Sequence, residues 1–83
     1  MRSDFWDHVQ TFISEVDGEF SKMVKRGELP DFETAWVDLT VRLRRYEWFV
    51  DARPIARKVA VRSIRSHVKG MVEYYRCAEQ LLG

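Results

Sequence analysis

The side chains best suited to catalysis are few: two histidines, His8 and His67, and one cysteine, Cys77. His67 and Cys77 stand ten positions apart, in a stretch of helical periodicity where that spacing is about 15 Å along the axis. A nucleophile and its base must come within hydrogen-bond reach, so these two cannot form such a pair in one chain. His8 has Asp4 one turn before it and Glu15 two turns after it. That is the beginning of a metal site, but it falls short of the ligand set a real one takes. The chain has no glycine-rich phosphate loop, nucleophile elbow or paired-cysteine motif. The expectation is a protein that binds rather than catalyses, with no metal and no cofactor.

Binding needs a surface, and two stretches offer one. In the first, Val37, Val41 and Trp48 fall on the side of a predicted second helix turned away from that helix's own seam, with Arg44 and Arg45 beside them. Burying a large apolar side chain contributes roughly 1.5–3 kcal/mol, so a wet patch of this kind invites a cover. Tryptophan with arginine is also the composition enriched at interface hot spots. These five are the expected partner-binding residues: Val41 and Trp48 as apolar anchors, Arg44 and Arg45 as carboxylate contacts. Closure of a homodimer across helix 2 is the expected form. The competing reading lays Trp48 against the start of the third helix, near Ile55 and Val59.

The second stretch is the line Lys58, Arg62, Arg65 and Lys69, about 16 Å long on a helix, with Arg76 continuing it. Such a row suits phosphates or an acidic protein groove. The bland reading is a solvated face, partly answered by acids of the first helix. A helix-turn-helix would start its recognition helix at Pro54 and present Arg57, Lys58 and Arg62 to bases. Against that stand a turn without glycine, no interleaved aromatics and a sequence pI near 7.9. Nucleic-acid binding is therefore the alternative function.

The elements that must position these residues follow from periodicity. Phe5, Val9, Phe12, Ile13, Val16, Phe20, Met23 and Val24 recur at helical spacing, predicting a helix over 4–26. Ser3 or Asp4 would cap it, with Gly27 just past its end. Asp31 is the predicted N-cap of a second helix over 31–51, whose seam is Phe32, Trp36, Leu39, Leu43, Tyr46 and Val50. Pro54 opens a third helix over 54–82. Its core stripe is Val61, Ile64, Val68, Met71, Val72, Tyr75, Ala78 and Leu82. A leftover face runs through Val59, Ser63, Ser66, Gly70, Tyr74, Cys77 and Leu81, and the expectation is that helix 1 packs into it. The fold expected is all-α, a compact three-helix up-down-up bundle with a long C-terminal helix and helix content above about 75%.

Composition agrees with this. The 83 residues are 46% hydrophobic and 33% charged, too apolar for a disordered chain, and one domain is expected over 1–83. At this size a single core is only marginally sufficient, so a partner is a common supplement. The net charge of +1 hides an asymmetry, −5 through Asp38 and +6 from Leu39 onward. It signals either a basic contact face or halves that attract on folding. With one cysteine, no apolar leader and no run near 18 apolar residues, the expected location is cytoplasmic, away from membranes. The function expected is that of a small non-catalytic interaction module: an adaptor, subunit or inhibitor-type regulator bound to another protein or to a second copy. No small-molecule substrate is expected.

Overall fold

The computed structural model describes residues 3–82 and is all-α. Its elements are α1 (Ser3–Lys25), α2 (Phe32–Leu43), α3 (Glu47–Val50) and α4 (Pro54–Leu82). Helix makes up 84% of it, above the expected threshold. The apolar stripes converge on one core. From α1 come Val9, Phe12, Val16 and Phe20; from α2, Ala35, Leu39 and Leu43. Phe49 of α3 and Ala60, Ile64, Val68 and Val72 of α4 complete it. On α2 and α4 the buried residues step by four, so the contact line drifts slowly around each helix. Leu82, last of the expected stripe, lies outside the residues whose side chains are described.

α1 and α4 run parallel. Phe5 and Trp6 border Ile55 and Ala56 at one end, and Asp17 meets His67 midway, the same offset of about fifty residues in both places. α2 runs back between their ends, with Pro30 accepting a hydrogen bond from Arg76 and Leu43 sharing a groove with Val61. α4 packs on both α1 and α2, while α3 packs on α1. At 29 residues α4 is about 44 Å long. It sets the long axis of a molecule measuring 46 × 21 × 18 Å.

The helix ends follow local chemistry. α1 stops at Gly27, whose φ of +71° is cheap only for glycine. Glu28 N–H donates to Met23 O and Gly27 N–H to Val24 O, the paired bonds of a Schellman cap. Ser3 and Asp4 are already helical rather than flanking, and Asp4 sits in the first turn, where its charge favours the dipole. Asp31 holds the N-cap position of α2 without a side-chain bond to the helix backbone. The Thr34 side chain beside it holds its carboxyl below the ordinary carboxylate value, and Arg76 adds a smaller pull the same way.

One element differs from expectation. The helix predicted over 31–51 breaks at Arg44–Tyr46. Arg45 and Tyr46 N–H donate only three residues back, and Tyr46 is extended at φ −91°, ψ 128° before α3 restarts. The reason lies in Trp48 and Phe49. On a continuous helix led by Leu39 and Leu43, Trp48 would point to solvent and Val50 toward the seam. The break turns Phe49 into the core and leaves Val50 half exposed. Sinking Phe49 and part of Trp48 offsets the few helical hydrogen bonds lost, each of net worth about 1 kcal/mol. Arg57 then steadies the joint, its Nη1 donating to the carbonyls of Val50 and Ala52 at the end of α3.

Candidate protein-binding face

The break in the second helix separates the residues expected to share its outer face. Trp48 leaves that patch. Its ring stacks on His8 at 5.2 Å and 9°, meets Phe5 edge-on at 5.8 Å and lies against Tyr46 at 5.4 Å. It is a half-buried clasp between α3 and the start of α1 rather than an outward anchor. This also accounts for His8, which serves as an aromatic platform. Among the described residues no three His, Cys, Asp or Glu side chains gather as a metal-binding group.

Val37 and Val41 remain outside, 63% and 45% exposed, on the side of α2 turned away from buried Ala35, Leu39 and Leu43. Arg44, one further turn along, is exposed beside them, as is Arg45 just after the helix. Thr40 donates its hydroxyl to the Val37 carbonyl at 2.8 Å, which satisfies that side chain within the helix. The apolar pair is only partly covered by its own fold. A cover from outside would bury it.

The basic row sits next to this patch. Lys58, Arg62, Arg65 and Lys69 are all exposed, and among the described residues none forms an ion pair. Arg65 instead lies 5.1 Å over the Phe32 ring of α2, a cation–π contact that ties the row to that helix. The expected answer from acids of the first helix goes elsewhere. Glu19 takes Arg42, which is pushed further above its ordinary pKa by that hydrogen bond, and Asp17 takes His67. Part of the charge asymmetry between halves is thus spent inside the fold, and the row on α4 is left over.

One residue of each expected surface, Arg44 of the first and Lys58 of the second, meets the other in the structure. A groove of about 370 Å³ opens between α2 and the first turns of α4. Its floor is Leu43, Phe49 and Val61, and its cationic rim is Arg44, Arg57 and Lys58. Arg57 is missing from the expected binding set. Its hydrogen bonds to α3 hold its guanidinium in place, a role that depends on a helix break the sequence does not announce.

Two other surfaces stand apart from this face. Val59, Ser63, Ser66, Gly70, Tyr74, Cys77 and Leu81 are all exposed, and an added Cβ at Gly70 would meet nothing within 4 Å. The expectation that helix 1 fills this face is therefore corrected. α1 packs lower on the α4 surface, on the side marked by Ala60 and His67. The second is an apolar notch of about 460 Å³, walled by Phe5, Trp6, Ala52, Arg53, Ile55 and Ala56, at the end where α1 and α4 begin. No helix of the described residues is long and apolar enough to cross a membrane. Compared with protein-family models, with curated proteins and with solved structures, the chain matches none.

Proposed function

We propose that this chain is a small, non-catalytic protein-interaction module of the cytoplasm, working as an adaptor, subunit or regulator through the joint face of α2 and α4. The observation that carries this reading is the pairing of exposed Val37 and Val41 with a groove that is apolar in its floor and cationic at its rim. An apolar centre bordered by arginine and lysine is the anatomy of a protein interface. The test is differential capture. Val41→Asp and Arg44→Glu should each keep wild-type helical circular dichroism while losing the same bound proteins that the wild type retains from source cells. An unchanged bound set would remove the reading.

The basic row supports a second reading, nucleic-acid binding by Lys58, Arg62, Arg65 and Lys69, because these four are solvent-facing and unpaired among the described residues. It requires affinity for duplex or single strands that falls steeply with salt. No mobility shift at low salt would eliminate it.

A further inference from the structure

We infer that the groove between α2 and α4 receives an acidic, amphipathic helical segment of another protein, an inference that rests on the protein-binding reading above. Its apolar stripe would seat on Pro54 and Val61, which line the groove over the buried Leu43 and Phe49, and would reach Val41 on α2, while its carboxylates would meet Arg44, Lys58 and Arg62. Four observations select this occupant.

The first is charge. The rim and the row beyond it are cationic, none of the row forms an ion pair among the described residues, and two of the acids of α1, Glu19 and Asp17, are committed to Arg42 and His67. The second is the floor. The apolar surface it presents is that of Pro54 and Val61, with buried Leu43 and Phe49 behind them; a phosphate backbone has no use for it, whereas the apolar face of a helix does. The third is symmetry. A two-fold interface places each patch against its own copy, which here would set Arg44, Lys58 and Arg62 against the same cations. Like charges brought together across an interface oppose association, so closure of a homodimer on this face is disfavoured. The fourth is that the outer face of α1, the acidic helix of a second copy, is no match for the groove. The outer face of α1 carries Asp7 together with Gln10, Ser14 and Gly18, all exposed and none apolar, so it brings charge without a stripe. Arg57, already anchored on α3, adds a cation whose ordering cost is met before the partner arrives.

The experiment uses a fluorescent designed helix of about 14 residues, long enough to follow the groove, with leucine at i, i+3, i+4, i+7 and i+11 and glutamate on both flanks. The same peptide with lysine for glutamate, and a 12-base-pair DNA duplex as a further probe (sizes on the order of the groove), complete the set. Fluorescence anisotropy should show the glutamate peptide binding at least about ten-fold more tightly than the lysine peptide. Val41→Asp should weaken it, and Arg44→Glu with Lys58→Glu should invert the preference. Equal binding of both peptides, abolished by Val41→Asp, overturns the acidic partner and leaves the protein-binding module standing. A doubled solution mass restored to monomer by Val41→Asp, with no peptide bound, also overturns it and returns the face to self-association. Binding of the duplex alone overturns both the inference and the module.

Discussion

Arg42 on α2 and Glu19 on α1 form a two-pronged pair: Nη1 donates to Oε1 at 2.8 Å and Nη2 to Oε2 at 3.2 Å. The same guanidinium lies 5.4 Å over the Phe12 ring. One arginine of the basic half is thereby matched in shape and charge to the acidic half. The fork geometry is what lysine lacks, and the pair ties α2 to α1. With Glu19 taken, it does not answer the row on α4.

Glu19→Gln should lower stability by about 1 kcal/mol, since one arm of the fork loses its charged acceptor while the site stays partly wet. For a domain of this size that is a fall of about 4–8 °C in Tm. Arg42→Lys should cost a similar amount. Thermal unfolding followed by circular dichroism checks both, and an unchanged Tm in either would show the pair to be ornamental.

Trp48 and Val41 should now behave differently. Trp48→Ala removes the stack on His8 and the contacts to Phe5 and Tyr46, and should destabilise by about 2–3 kcal/mol, less than for a fully buried tryptophan. Val41→Asp, on a wet face, should stay within about 0.5 kcal/mol of wild type. Urea titration distinguishes them. Equal effects would place both residues in the same environment, against the structure.

The glycines make a matched pair of tests. Gly27→Ala must place a side chain at φ +71° and should cost about 1 kcal/mol. Gly70→Ala enters open space within α4 and should stabilise by about 0.5–1 kcal/mol through helix propensity alone. Midpoints from chemical denaturation should therefore move in opposite directions.

Asp31 gives a pH dependence whose sign is fixed. Its carboxyl is held below the ordinary carboxylate value in the folded chain by the Thr34 side chain, so it contributes stability above the unfolded pKa and loses it as pH falls through the folded one. Asp31→Asn should be less stable than wild type near about pH 6, and the gap should close as acid protonates the folded carboxyl. A gap that widened on acidification would reverse the assignment.

Much of this fold is legible in the residues. Val9, Phe12, Val16 and Phe20 sit at helical spacing and are all buried, and Gly27 and Pro54 mark the boundaries that they should. The break before Trp48 is not legible, because Arg44, Arg45 and Tyr46 carry no glycine or proline. What ends the helix there is the tertiary gain of turning Phe49 inward, which no local pattern encodes. The candidate face was half visible for the same reason. Val37, Val41 and the basic row could be read from periodicity. The departure of Trp48, the anchoring of Arg57 on α3 and the groove in which Arg44 meets Lys58 beside Phe49 follow from the break. The bond between Arg42 and Glu19 joins residues 23 positions apart, beyond any helical repeat.

Mapping amide chemical shifts on the isotope-labelled chain during titration with the glutamate-flanked helix locates the working face directly. The predicted result is perturbation centred on Val37, Val41, Arg44, Lys58, Val61 and Arg62, with Gln10 and Ser14 of α1 unmoved. Shifts centred instead on Trp6, Ile55 and Ala56 would contradict it and move the binding site to the far end of the bundle.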